Sequence, residues 1–308
     1  MQRKIDTHHH VCPPLYAKEI EGKSRIFPAL LDWTPQRSIE DMDRAGVETA
    51  IISITTPGLW FGDDEAARRL ARICNEYGAA LVAEHSRRFG LFAALPLPDV
   101  EGSLHEIAYA LDVLKADGIC LFTSYGDKYL GAPEFSPVLE ELNRRRAVIY
   151  THPTVHPCCV NLLPVVSEAI IEYGTDTTRA IASLVFGGAA ARFRDARFIF
   201  SHAGGTLPSL FARFQQQMRN DMRRGKGSPD ALQDIARFFY DTAQSCHKAP
   251  MAALREIVAA SQILFGTDFP WGRADEHVER LAACGFDERE LAAILRDNAV
   301  GLLPRLNS

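Results

Sequence analysis

Short runs of apolar, β-branched and aromatic residues recur along the chain at intervals: "RKIDT", "TAIISI", "FGLFAALP", "DGICLFT", "AVIYTH", "RFIFSH", "FYDTA" and "QILFGTD". Each is the length of a strand, and nearly continuous apolarity within a run suits strands buried on both faces. Between the runs lie longer segments of helical period. "DDEAARRLARICNEYGAALVAEHS" opens on acidic residues and carries apolar positions three and four apart; "GSLHEIAYALDVLKA" and "FSPVLEELNRRR" repeat the pattern. Strand and helix in alternation predict a parallel sheet joined by crossovers. Eight such units in one chain predict an α/β fold, a (β/α)8 TIM-type barrel.

One segment breaks the rhythm. From "PTVHPCCVNLLPVV" through "IEYGTDTTRAIASLVFGGAAARF" the connection after strand five is far longer than usual, and we expect extra helices there that cap the barrel mouth. "RNDMRRGKGSPDALQD" reads as an exposed connection between two helices. There is no internal repeat. A chain of 308 residues suits one barrel domain, expected to span residues 1–308.

Composition narrows the class. The chain is 47% hydrophobic and 24% charged, as globular proteins are, and its apolar runs are too short to span a bilayer. A net charge of −5 with no zinc-finger or aromatic RNA-binding pattern argues against nucleic-acid partners and favours small molecules. Seven cysteines without C-x-x-C spacing, and no secretory leader pattern, point to a reduced, cytoplasmic setting. The glycine pairs Gly187-Gly188 and Gly204-Gly205 form neither a dinucleotide fingerprint nor a P-loop, and no G-x-S-x-G offers a nucleophile.

The reactive residues fall where a barrel would use them. In this fold the active site lies at the C-terminal ends of the strands. His8 and His10 end the first run, His152 the fifth, His202 the sixth and Asp268 the eighth. Alternation along strand one turns His8 and His10 to one side and His9 to the other. Any one of these histidines alone would be an ordinary hydrogen-bonded side chain. Five groups converging on one mouth make a metal site the better reading, because neutral imidazole and carboxylate are good ligands for zinc and its neighbours.

This constellation resembles the amidohydrolase superfamily, with H-x-H on strand one, histidines on strands five and six, and aspartate on strand eight. Members with two metals add a lysine on strand four; "DGICLFTS" has none, so the resemblance implies one divalent ion, zinc first and manganese as the alternative, held by His8, His10, His152 and Asp268. "DTHHHVCPP", "MDRAGVETAIIS", "LPLPD", "THPT", "SHAGGTLPSLFAR" and "GTDFPW" bring the chain nearer the decarboxylase branch, which includes 2-amino-3-carboxymuconate-6-semialdehyde and hydroxybenzoate decarboxylases. "YLG" and "DTTRAIASLV" add a likeness to 6-methylsalicylate decarboxylases.

That resemblance implies a metal-dependent, non-oxidative decarboxylase of a small aromatic or unsaturated acid, of ortho-hydroxybenzoate type. His202 would stay off the metal as an acid/base, and Asp268 or His202 would protonate the ring carbon. Arg213, eleven residues past His202, would cross a homodimer interface to hold the substrate carboxylate. Arg25 is a second candidate for that task. Phe269 and Trp271 would border the site, whereas His9, His156, Cys158 and Cys159 are read as structural. The rival is a hydrolase of a lactone or amide on the same frame, its metal-bound water as nucleophile.

Overall fold

The computed structural model describes residues 3–22, 28–226 and 230–307; Arg25 lies outside them. All eight runs are strands: β1 (Lys4–His10), β2 (Val47–Ser53), β3 (Phe89–Ala94), β4 (Gly118–Phe122), β5 (Val148–His152), β6 (Arg197–Phe200), β7 (Phe239–Asp241) and β8 (Ile263–Leu264). They pair in parallel in chain order. Backbone bonds Thr7 N–H to Phe265 O, Asp268 N–H to His8 O and His10 N–H to Phe269 O, each 2.9 Å, bring the segment after β8 back onto β1. A (β/α)8 barrel results.

A helix follows each strand: α1 (Pro35–Ala45), α2 (Asp64–Glu84), α3 (Val100–Ala108), α4 (Ser136–Arg144), α5 (Glu168–Phe186), α6 (Leu207–Arg223), α7 (Lys248–Arg255) and α8 (Ala274–Ala282). The first three of these helices start on side-chain caps. Thr34 accepts from the Arg37 N–H ahead of Pro35, and Asp63 and Asp99 accept from Ala66 and Gly102. Helix α1 ends on Gly46 at φ 69°, the left-handed conformation that glycine adopts without strain. Helix α2 turns Ala67, Leu70, Ala71, Cys74 and Leu81 to the strands, the face its period predicts. The segment "RNDMRR" is not connection but the continuation of α6, which runs to Arg223.

Two apolar layers stabilise the barrel. One joins the strands to the helices. The other fills the interior with Ile5, Ile51, Phe92, Cys120, Val148, Tyr150, Ile199 and Leu264, and Leu302 and Leu303 of the C-terminal segment pack against it. Burying a side chain such as Phe92 contributes about 1.5–3 kcal/mol. Because strand side chains alternate, the position two beyond inward-facing Tyr150 also faces inward, and it is His152. The packed interior thus ends in a layer of chemistry at the C-terminal face.

The long connection after β5 passes through a short 3-10 turn at Pro157–Cys159 and then becomes α5. Its first turns form one wall of the cavity at that face.

Candidate metal centre

His8, His10, His152 and Asp268 come together in the barrel mouth, each buried, with one ligand atom from each lying within 4.8 Å of the others. His8 Nε2 and His10 Nε2 are 2.9 Å apart. Asp268 Oδ1 stands 3.1 Å from His8 Nε2 and 3.2 Å from His10 Nε2. That oxygen is buried, yet at neither nitrogen is the geometry that of a hydrogen bond, and among the described residues it has no hydrogen-bond partner. A buried anionic oxygen and facing imidazole nitrogens converging on one point fit a divalent cation. Three imidazoles and one carboxylate suit zinc or manganese.

His202 stands beside this group and not in it. Its Nε2 lies 3.5 Å from Asp268 Oδ2, the oxygen turned away from His8 and His10. Its Nδ1 is buried and, among the described residues, has no hydrogen-bond partner. Both His202, at φ 54°, and Asp268, at φ 63°, occupy the left-handed region, where a non-glycine backbone is strained.

Two buried carboxylates hold these conformations. Asp241, the last residue of β7, accepts from the His202 and Ala243 N–H groups through Oδ1, each at 3.0 Å, and its Oδ2 is 2.8 Å from His8 Nδ1. An imidazole that donates from Nδ1 to a carboxylate presents Nε2 as the free ligand nitrogen. Asp6 accepts from the N–H groups of His8 and Thr267 and from the Thr267 hydroxyl, and pairs with His9 Nδ1. Neither Asp6 nor Asp241 is among the candidates read from the sequence. A signal for Asp241 was present, since it is the carboxylate within the seventh apolar run, as Asp268 is in the eighth.

The electrostatics follow from burial and these charges. Burial pushes His10 down to about 4 and His152 well below the usual histidine value, with neighbouring histidine charges adding to the effect. Burial alone would lower His8 as well, but the charges of Asp241 and Asp268, with the Asp241 hydrogen bond, raise it to about 10. Desolvation would raise Asp268, and the surrounding histidines hold it well below the ordinary carboxylate range.

The group opens into a cavity of about 720 Å³. Ala169, Ile170, Ile171 and Tyr173 of α5, with Trp271, give it apolar walls; Thr55, Thr56, Thr206, Gln244 and Ser245 add polar groups. Trp271 also meets the His10 ring edge to face, centroids 5.7 Å apart. Among the described residues no lysine or arginine lines the cavity.

The other sequence candidates fall elsewhere. Phe269 does not border the cavity; it stacks on His9 at 4.6 Å, while His9 Nε2 meets Ser38 Oγ at 2.8 Å. His156 stacks on Tyr129, away from the site. Arg213 lies on an exposed position of α6 and is not brought to the metal group within one chain.

An eight-stranded barrel with a buried three-histidine, one-aspartate group at its C-terminal face defines a metal-dependent barrel enzyme class. The amidohydrolase family model matches residues 5–305, and the chain belongs to that family. It is 38% identical to a 6-methylsalicylic acid decarboxylase of Aspergillus aculeatus, over 98% of this chain and 96% of the relative. A decarboxylase of Aspergillus niger is 35% identical over 98% of this chain and 88% of its own. In structure it is similar to a dihydroxybenzoic acid decarboxylase from Polaromonas with bound manganese and 2-nitroresorcinol, at TM-score 0.85 and 23% identity, over 100% of this chain and 98% of that one.

Proposed function

We propose that the chain is a metal-dependent, non-oxidative decarboxylase of a small aromatic acid carrying a hydroxyl ortho to its carboxylate, of the 6-methylsalicylate kind. One observation carries the reading. Asp268 turns one oxygen to His8 and His10 and the other to His202, so a single side chain joins the metal group to a second, non-ligand imidazole. The full-length likeness to a 6-methylsalicylic acid decarboxylase supports the substrate class.

His8, His10, His152 and Asp268 would hold one divalent ion. Bound there, it supplies Lewis-acid stabilisation of negative charge on the substrate's phenol and carboxylate oxygens. The protein does the rest. Trp271, Tyr173 and Ile171 pack a flat ring, and the Thr56 Oγ1 to Tyr173 Oη contact at 3.0 Å fixes one wall. A proton shared between His202 Nε2 and Asp268 Oδ2 passes to the ring carbon that bears the carboxylate. The carbon–carboxylate bond then breaks, carbon dioxide leaves, and its electrons restore the aromatic ring.

Zinc is the proposed metal, for a donor set of three imidazoles and one carboxylate, and the manganese bound in the Polaromonas enzyme supports manganese as the alternative. We read residues 1–308 as one domain in a cytoplasmic homodimer. Ile170, on the cavity wall, is 73% exposed, an apolar surface that a second copy would cover. Exposed Arg213 would then reach a partner's substrate carboxylate, a charge the cavity does not supply within one chain. All seven cysteines are free, and among the described residues no helix is long and apolar enough to cross a membrane.

The test incubates metal-loaded protein with hydroxybenzoates, 6-methylsalicylate among them, and several lactones, following carbon dioxide and product mass. Carbon dioxide from a hydroxybenzoate is expected. Water addition to a lactone without gas would overturn the reading and make the chain a hydrolase.

A further inference from the structure

Outside the metal group, one cluster of nucleophilic side chains has no part in the chemistry above. In the 3-10 turn after β5, Cys158 is exposed and its neighbour Cys159 is buried. The two thiols belong to consecutive residues of one tight turn. Arg179, on α5, places Nη1 3.4 Å from Cys159 Sγ. No carboxylate pairs with Arg179 among the described residues, so its charge falls on sulfur. That contact holds the Cys159 sulfur in place behind the exposed Cys158.

We propose that Cys158 and Cys159 form a dithiol site that captures trivalent arsenicals and coupled reagents of the same soft, two-thiol-seeking class, and that occupancy of this site slows turnover. The exposed sulfur of Cys158 meets the reagent first. Cys159, the next residue, closes the chelate as an intramolecular step, which adjacency favours strongly. With an organoarsenic oxide, two As–S bonds form and the As–O linkage breaks. The oxygen leaves as water carrying both thiol protons, and arsenic keeps its oxidation state, so no oxidant is needed. The other five cysteines are buried and no two of them are chain neighbours.

The link to turnover is the wall that the two sites share. Cys159 lines a small cavity with Ser167 and Ile171, and both of those residues also line the large cavity over the metal group. Arg179 extends the connection, because Tyr173 lies on the same helix two turns earlier. A group clamped on Cys159 displaces that guanidinium and presses on the wall against which the ring packs.

The probe is phenylarsine oxide on metal-loaded native protein, read by intact mass and by turnover. We expect one arsenical per chain, removed by an added small dithiol, with turnover falling as the adduct forms. Cys158→Ser, at an exposed position, and Cys159→Ser should each fail to hold the adduct while keeping metal content and circular dichroism. No adduct on the native chain, or an adduct that survives in either serine variant, would overturn the site. An adduct that leaves turnover unchanged would overturn the coupling. The mass readout does not depend on the substrate, so failure here is distinct from failure of the decarboxylase reading.

Discussion

Replacing Asp241 by asparagine should change how metal affinity depends on pH, and the structure fixes the direction. Asp241 is fully buried, with Oδ2 2.8 Å from His8 Nδ1 and Oδ1 on the N–H groups of His202 and Ala243. An asparagine that keeps its oxygen on those two N–H groups turns its NH2 to His8. Nδ1 must then accept, and the ring proton moves to Nε2, the nitrogen facing His10 and Asp268. Flipping the amide saves His8 but sets NH2 against two N–H donors. Losing such an outer partner costs roughly 10- to 100-fold in metal affinity, or about 1.4–2.7 kcal/mol.

A second effect opposes the first. In the metal-free protein His8 is raised from 6.5 to about 10, so it carries a proton at neutral pH. That charge stabilises the metal-free fold fully below the unfolded value, and the contribution is lost as pH rises toward the folded one. Binding an ion must expel the proton, so native affinity should rise about tenfold per pH unit through the neutral range. His10, lowered to about 4, is already neutral there. Removing the Asp241 charge leaves burial as the main influence on His8 and lowers it, which weakens the competition from protons. The deficit of the variant should therefore be widest at the alkaline end and shrink toward acid. Chelator competition from about pH 6 to about pH 9 measures both slopes, with circular dichroism confirming the fold. An unchanged affinity, or a loss by the same factor at every pH, would refute the argument that Asp241 sets both the tautomer and the charge of His8.

Three further outcomes are expected. His152→Ala should lose metal by elemental analysis, whereas His202→Ala should keep it and lose turnover by roughly 10²- to 10⁴-fold; full metal in both would show the ligand set to be wrong. Mixing Arg213→Ala with His202→Ala protein should recover activity through hybrid dimers, and no recovery despite proven subunit exchange would remove Arg213 from the site. In Gly266→Ala the new Cβ would lie 2.8 Å from His8 Cβ and 3.1 Å from Asp241 Cβ. Overpacking there should lower stability by about 1–3 kcal/mol in a melt and loosen the metal, and an unchanged melting temperature would contradict it.

What could be read from the chain follows from where its information is local. Strands buried on both faces are continuous apolar runs, so β1 to β8 stand out, and His8, His10, His152, His202 and Asp268 stand out because each closes a run. Asp241 lies within one too. Its role was hidden because it acts on His8 across 233 residues, and a carboxylate that orients a ligand leaves no spacing motif. The parting of Phe269 from Trp271 was also unreadable. Asp268 at φ 63° turns the chain so that Phe269 joins the edge of β1 and stacks on His9, and Trp271 comes to the cavity. Nor does any local pattern say that α5 turns Ile170, Ile171 and Tyr173 toward the cavity, since period alone gives a helix its face and not its neighbour.

The two strained residues of the site explain why so many buried carboxylates surround it. His202 and Asp268 must leave their strands sharply to bring Nε2 and Oδ2 within 3.5 Å, and left-handed backbone at each costs of order 1–3 kcal/mol. Such conformations persist only where neighbours over-determine them. Asp241 binds the His202 N–H, and Asp6 binds the Thr267 N–H and hydroxyl just before Asp268, while each also holds a histidine of β1. The same two anions therefore anchor the first strand, the sixth and the eighth to one another. A substitution at Asp6 would be felt at Asp268 and His8 together, and one at Asp241 at His202 and His8. The metal group and the His202–Asp268 pair share their supports, so a change at either carboxylate reaches both.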